Sequence, residues 1–207
     1  MSLPKSIASN IRFMNSGRTT ANRLLGANFV AAVADDAATL NALIIQHQVQ
    51  SNWCWAAVVA SIRQFYGFLD LTQCRIASEI LNHNCCSDNQ NECNQPQSLA
   101  PVLAKNRFTT VFVDGKLSED DIRTRIRDQK RPAIAEIEWG NGLRHFVVIR
   151  GFFVEDNYFW VRIADPLFGY VKQPLEEMSM YQPNGAPFAG EWLFTFLADP
   201  IDQPLEA

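Results

Sequence analysis

Apolar and polar residues follow a helical pattern in the first half of the chain and change to a strand pattern near residue 107. Residues 54–66 are mostly small or apolar, which predicts a helix that is buried on most of its sides. Residues 71–81 place their apolar side chains on one face, and residues 98–104 form a shorter amphipathic stretch. The pattern therefore predicts a helical lobe at about residues 45–106.

After residue 107, short runs rich in β-branched and aromatic residues alternate with turn residues. A predicted surface helix at residues 118–127 interrupts these runs, with Ser118 as its N-cap and its arginines on a solvated face. The predicted strands are 108–113, 133–139, 146–154, 158–164, 169–172 and 191–197. We therefore expect an antiparallel β-sheet lobe at about residues 107–200.

Together these patterns predict an α+β fold. An N-terminal helical lobe packs on a C-terminal antiparallel sheet lobe, and the active site lies between the two. The 207 residues, of which 47% are hydrophobic and 19% charged, are enough for one core, as a single domain or as two closely packed lobes.

Residues 1–44 follow neither pattern, since scattered Ser, Asn and Thr precede an Ala-rich stretch. One interpretation is a leader or pro-segment that occupies the cleft of the domain at residues 45–207. The alternatives are a flexible leader and an additional strand. The N-terminus shows no basic, apolar and small-residue pattern of a secretion signal.

The charge and hydropathy of the chain argue against two classes of partner. A net charge of −4 disfavours binding to nucleic acid or to an anionic membrane, because both repel an acidic surface. No apolar run reaches the roughly 18 to 20 residues that a membrane span requires. We expect a monomer that does not bind nucleic acid or membranes.

Cys54 is the first candidate for chemistry, because it lies between two tryptophans at the start of the predicted buried helix. There the positive end of the helix dipole favours a nucleophilic thiolate. Gln48, six positions earlier, has a side-chain amide that can join the Cys54 N–H in an oxyanion hole. The alternative is a buried cysteine with a structural role only.

A nucleophile of this kind needs a base, and His145 follows a Gly-rich turn at the start of a predicted strand. Asp165 ends the next predicted strand. In an antiparallel pair the start of one strand lies beside the end of the next, so Asp165 is expected near the imidazole. An aspartate there orients the ring while the other ring nitrogen exchanges a proton with the thiol. Taken singly, each residue also has an ordinary structural interpretation.

The order Gln48, Cys54-Trp55-Ala56-Ala57, His145-Phe146-Val147-Val148, Asp165-Pro166 resembles the papain-like superfamily of cysteine peptidases. The likeness is to bacterial branches, including effector-type and staphopain-like enzymes and double-glycine leader peptidases. It implies Cys54 as nucleophile, His145 as base and acid, Asp165 as orienting group and Gln48 as oxyanion donor. The chain departs from plant papains in having Asp as its third member and a shorter interval between Cys and His.

The function that this resemblance implies is a cysteine endopeptidase that hydrolyses peptide bonds through a thioester acyl-enzyme. Its partner is a protein or peptide substrate, and no cofactor and no metal are expected. The alternatives are another acyl-transfer enzyme of the same fold, transglutaminase-like or deubiquitinase-like, and a non-catalytic papain-like binding module.

The four other cysteines are an even set with three possible disulfide pairings, and the adjacent pair is not expected to bond to itself. They are Cys74, Cys85, Cys86 and Cys93. The papain-like resemblance implies Cys86–Cys93, which leaves Cys74–Cys85. The alternative is a structural zinc site that includes His83. Disulfides require an oxidising compartment, which favours a secreted or translocated protein over a cytoplasmic one.

Overall fold

An antiparallel sheet of seven strands organises the computed structural model, which describes residues 36–87 and 90–201. The strands are β1 (Ala37–Thr39), β2 (Phe108–Asp114), β3 (Ala133–Trp139), β4 (Arg144–Glu155), β5 (Tyr158–Asp165), β6 (Gly169–Pro174) and β7 (Gly190–Pro200). Their order across the sheet is β2-β7-β3-β4-β5-β6, and β1 pairs with β4 outside this path. The predicted sheet lobe is confirmed, with strands that extend up to three residues beyond the predicted bounds.

The main helices lie in the chain between β1 and β2, apart from one short helix between β2 and β3. They are α1 (Cys54–Phe65), α2 (Gln73–Leu81), α3 (Leu99–Lys105) and α4 (Glu119–Ile122). A π-helical segment, Arg123–Asp128, continues α4, and 3-10 helices occur at Gln90–Cys93 and Leu175–Glu177. Ser118 caps α4 as predicted, since its hydroxyl accepts a hydrogen bond from the Asp121 N–H. The α+β prediction is therefore confirmed.

Helix α1 is the central element of the helical lobe. Its first ten residues are all buried, and it contacts α2, α3 and β4. Small side chains such as Ala56, Ala57 and Ala60 allow these neighbours to approach it closely. Among residues 36–87 and 90–201, none of the helices has the length and apolar content that a membrane span needs.

Strand β1 lies within the segment that the sequence predicted as a leader, and it corresponds to the alternative of an additional strand. It pairs with Gly151–Phe153 of β4, and a side chain at Gly151 would meet the Ala38 carbonyl oxygen at 2.6 Å. Leu40 and Leu43, which follow β1, are buried. The packed domain therefore begins before residue 45, whereas residues 1–35 lie outside the described part of the chain.

The disulfides join Cys74 to Cys86 and Cys85 to Cys93, so the predicted pairing of Cys86 with Cys93 is wrong. The physical reason is burial, because the side chains of adjacent residues point in different directions. Cys85 and Cys93 are both fully buried, whereas Cys86 is exposed and bonds to the half-buried Cys74. The sulfurs proposed as zinc ligands are thus all bonded to other sulfurs.

Of the arginines predicted on a solvated face, Arg127 is exposed as expected, whereas Arg123 and Arg125 are not. Arg125 is buried and binds the Asp199 carboxylate at 2.6 Å and 3.1 Å, together with the carbonyl oxygen of Pro132. Arg123 binds Asp36, just before β1, at 2.6 Å. Both cations therefore hold chain segments together, which the local charge pattern did not indicate.

Candidate active site

Cys54 is the first residue of α1 and the one free cysteine of the described residues. Its backbone N–H lies in the first helical turn, where N–H groups have no intrahelical acceptor. The residue lines a cleft of about 420 Å³ between the helical lobe and the sheet lobe. The helical lobe contributes Gln48, Asn52 and Trp55 to the walls, and the sheet lobe contributes Trp139, Leu143 and Phe168.

His145 and Asp165 lie together on the sheet side of this cleft. Strands β4 and β5 are antiparallel, so the beginning of β4 lies near the end of β5, as the sequence analysis expected. The Nε2–H of His145 donates to Asp165 Oδ1 at 2.9 Å, and Cys54 lines the same cleft and helps to raise the pKa of the imidazole. The imidazole thus lies between the thiol and the carboxylate.

The Asp165 carboxylate is fully buried and its oxygens are held from several directions. Oδ1 accepts from the backbone N–H groups of Leu167 at 2.7 Å and Phe168 at 3.1 Å, and Oδ2 accepts from the Tyr181 hydroxyl at 2.8 Å. These donors fix the rotamer of the carboxylate. The carboxylate therefore has a fixed orientation toward the His145 ring.

Burial and hydrogen bonding shift the pKa values of His145 and Asp165 in opposite directions. Burial alone lowers the pKa of His145, but its interactions with Asp165 and Cys54 outweigh burial and raise the pKa to about 9. Burial raises the pKa of Asp165, but its bonds from His145, the Leu167 N–H and Tyr181 hold it below the ordinary value. At neutral pH the site therefore contains an imidazolium beside a carboxylate.

Two aromatic residues that the sequence analysis did not assign enclose this pair. The Trp139 ring stacks on His145 with centroids 5.6 Å apart and on Tyr181 with centroids 5.9 Å apart. Burial and the Asp165 charge raise the pKa of Tyr181, so its hydroxyl stays a proton donor. A bridge from Tyr181 to Gly190 holds the tyrosine in place, and a side chain at Gly190 would meet Ile137 at 2.5 Å. No local sequence motif marks Tyr181, because an isolated bridge to Gly190 positions it.

Gln48 lines the cleft close to Cys54, but its amide is engaged with the loop between them. Nε2 donates to the carbonyl oxygens of Gln50 at 3.0 Å and Ser51 at 2.8 Å. Its Oε1 is buried and accepts no hydrogen bond from the described residues. If Gln48 is an oxyanion donor, its Nε2 must release or share one of the two protons that it donates to the loop. This role of Gln48 stays a prediction.

The segment that follows the Cys85–Cys93 disulfide holds the chain just before Cys54. Asn94 makes three hydrogen bonds of 2.9 Å to this chain. Its Oδ1 accepts from the Asn52 backbone N–H, its carbonyl oxygen accepts from the Asn52 side-chain amide, and its Nδ2 donates to the Ser51 hydroxyl. The carbonyl oxygen of Cys93 accepts from the indole of Trp53 at 2.7 Å. The disulfide thus connects directly to the loop that carries the oxyanion-hole candidates.

Comparison with known proteins agrees with this geometry. Residues 38–186 match the family model described as "Papain-like cysteine protease AvrRpt2". No match was found among curated protein sequences.

Two solved structures share the fold at low sequence identity. One is the peptidase domain of Streptococcus ComA, a bifunctional ABC transporter involved in quorum sensing. It is 18% identical, with a TM-score of 0.51 over 76% of this chain and 98% of that one. The other is digestive procathepsin L 3 of Tenebrio molitor larval midgut, which is 12% identical. Its TM-score is 0.50 over 79% of this chain and 69% of that one.

The raised pKa of His145 predicts a direct spectroscopic result. In wild type the His145 ring should titrate near pH 9, and Asp165→Asn should move the titration to lower pH because the imidazolium loses its negative partner. NMR titration of the ring resonances measures this, with His47 and His83 as internal controls. An unchanged His145 titration in Asp165→Asn would contradict the assigned contact.

Because Asn94 holds the loop before Cys54, we predict that loss of its side chain makes this loop more mobile. Asn94→Ala removes the acceptor of the Asn52 N–H, so amide hydrogen exchange at Asn52 should accelerate by roughly tenfold, the effect of one net hydrogen bond. The matched control is Asn91→Ala, which removes an exposed amide side chain from the same segment. Equal exchange at Asn52 in the two variants would show that the Asn94 side chain does not hold the loop.

Proposed function

Because this chain belongs to the family of papain-like cysteine proteases described by AvrRpt2, we propose that it is an endopeptidase acting through a Cys-His-Asp triad. Membership makes it a cysteine peptidase with a protein or peptide substrate. The observation that carries the finer proposal is the position of His145 between Cys54 and the buried Asp165. One chain supplies all three groups, so the proposed chemistry needs no second subunit.

The shape of the cleft supports cleavage at internal peptide bonds of a substrate. Past His145 the cleft continues into a second depression of about 500 Å³. Pro96, Gln97, Arg144 and Phe146 line both. A groove that extends beyond the nucleophile leaves room for several residues on one side of the scissile bond. This is the geometry that an endopeptidase requires.

The proposed reaction starts from the ion pair of a Cys54 thiolate and a protonated His145. The thiolate attacks the carbonyl carbon of the scissile bond, and the electron pair of the carbonyl moves onto its oxygen. His145 then donates its proton to the departing amine as the C–N bond breaks, which leaves a thioester on Cys54. Water attacks the thioester and gives a proton to His145 as the C–S bond breaks, which releases the acid and restores the Cys54 thiolate beside a protonated His145. Asp165 holds the ring in one orientation throughout.

The negative oxygen formed in the first step needs donors beside Cys54. The N–H of Cys54 is one, since it lies in the first turn of α1. We propose that Gln48 Nε2 is the second donor. One of its N–H groups would leave a loop carbonyl and donate to the substrate oxygen instead. Its position in the cleft supports this role, because Gln48 and Cys54 line the same cavity.

The triad proposal predicts the activity of three variants. Cys54→Ala and His145→Ala should abolish peptide hydrolysis, because each removes a group that takes part in bond formation. Gln48→Ala should lower kcat by roughly 10²- to 10³-fold with little change in KM, as expected for an interaction made in the transition state. Steady-state kinetics on a peptide library measures these effects.

The matched control for His145→Ala is His47→Ala, which removes an exposed histidine near the cleft and should keep wild-type rates. Substantial hydrolysis by Cys54→Ala would refute the nucleophile. A rise in KM alone for Gln48→Ala would assign that residue to loop support instead of the oxyanion hole.

Within the predicted leader at residues 1–44, we propose that the part before β1 is a pro-segment that Cys54 removes. Because β1 is part of the sheet, we expect cleavage before Ala37. Purified wild type should develop a new N-terminus on incubation, while Cys54→Ala stays intact, as N-terminal sequencing and intact mass will show. Wild type that remains full-length would contradict self-processing, and equal cleavage of both chains would indicate a contaminating protease.

A further inference from the structure

A group of cations lies on the sheet far from the chemistry described above, on strands β4 to β6. Arg162 of β5 and Lys172 of β6 are direct partners in the strand register, and both are exposed on the same face. Like charges placed directly opposite each other destabilise an antiparallel pair. Arg150, at the bulge in β4, adds a third positive charge beside them. We call these three residues and their surroundings the cationic face.

Aromatic rings hold the side chains of the cationic face in position. The guanidinium of Arg162 lies 4.5 Å from the centroid of the Phe153 ring, and the ammonium of Lys172 lies 5.6 Å from the same centroid. Arg150 lies over Tyr170 at 4.7 Å. Such contacts orient a cation but leave its charge uncompensated.

Carboxylates do not neutralise these charges. Among residues 36–87 and 90–201, no carboxylate forms a salt bridge with Arg150, Arg162 or Lys172. In contrast, Arg123 and Arg125 both bind aspartates at 2.6 Å. The cationic face is therefore locally positive on a chain whose net charge is −4.

A cavity of about 590 Å³ opens among these cations. Arg150, Arg162 and Lys172 line it together with Thr39, Asn41 and Tyr170, and no residue is shared with the cleft of Cys54. Gly151 brings the walls together, since the place of its missing Cβ lies 3.0 Å from both Arg162 Cδ and Thr39 Oγ1. The cavity thus combines three cations with a hydroxyl and an amide, and it has the size of a small-molecule site.

Two N–H donors on the same side of the sheet have no acceptor within the described ranges. The Nε of Arg150 is buried and unpaired, although its Nη2 donates to the Leu40 carbonyl oxygen at 3.1 Å. The indole N–H of Trp160 is also buried and unpaired, and the Lys172 ammonium lies 5.6 Å from its ring. Donors left unpaired in this way cost stability unless an acceptor reaches them.

We propose that the cationic face binds a small phosphorylated anion with at least two negative charges. Arg150 and Arg162 are suited to its phosphate oxygens, because a planar guanidinium forms paired hydrogen bonds to phosphate. Lys172 supplies a third charge, and Thr39 and Asn41 supply neutral contacts. Arg150 also holds Leu40, just after β1, so an occupied site strengthens the attachment of β1 to β4.

The test is calorimetric titration of the full chain with pyrophosphate and with ATP, at an ionic strength held constant with sodium chloride. Wild type should bind at least one of them saturably. Arg162→Gln and Lys172→Gln should each weaken binding by about tenfold, the effect of one lost charge-assisted contact. Tighter binding of pyrophosphate would identify an inorganic polyphosphate, and tighter binding of ATP a phosphorylated metabolite. The matched control is Lys130→Gln, an exposed cation outside the cavity, which should bind as wild type does.

Three results would overturn the proposal: no saturable binding of either anion to wild type, unchanged binding in Arg162→Gln and Lys172→Gln, or an equal loss in Lys130→Gln. Thermal unfolding without ligand adds an independent readout. Removing one of two opposed like charges should leave Tm unchanged or raised. A lower Tm combined with unchanged anion binding would mean that the two cations only cover the aromatic rings.

Discussion

The buried contact between His145 and Asp165 is the interaction on which the rest of the site depends. A buried charge pair is favourable only when further hydrogen bonds compensate for its loss of water. Asp165 meets this requirement with donors from Leu167, Phe168 and Tyr181. Each donor comes from the chain after β5, so the turn and loop beyond the strand are built around the carboxylate.

Strand register makes that contact possible, and a one-residue slip would destroy it. Successive side chains of a strand point to opposite faces, so a shift of β5 against β4 would turn Asp165 away from the imidazole. The wide interface of β4 with β3, β5 and β1 opposes such a shift, because seven of the twelve β4 residues are buried. On the other side of the cleft, the Cys85–Cys93 disulfide and Asn94 hold the loop before Cys54. The two halves of the site are thus fixed independently, each by its own lobe.

The parts of this arrangement that were predictable from sequence are those with a local signal. Helix α1, the strands and the meeting of His145 with Asp165 follow from periodicity and from the geometry of antiparallel neighbours. Tyr181 has no such signal, because a single bridge to Gly190 places it. The disulfide pairing was also beyond the sequence, since it depends on which of two adjacent cysteines turns inward. The hydrogen bonds of Gln48 to the loop show that residue type and spacing do not reveal where an amide directs its protons.

The arginines illustrate the same limit in electrostatic terms. In sequence, Arg123 and Arg125 belong to a charged stretch, whereas Arg162 is a lone cation within a strand. In the fold the first two meet aspartates that are far away in the chain, Asp36 and Asp199. Arg162 meets Lys172 instead, in a register that places two positive charges side by side. In a fold selected for stability alone, one substitution would remove the repulsion between Arg162 and Lys172. The persistence of this repulsion therefore indicates a requirement other than stability.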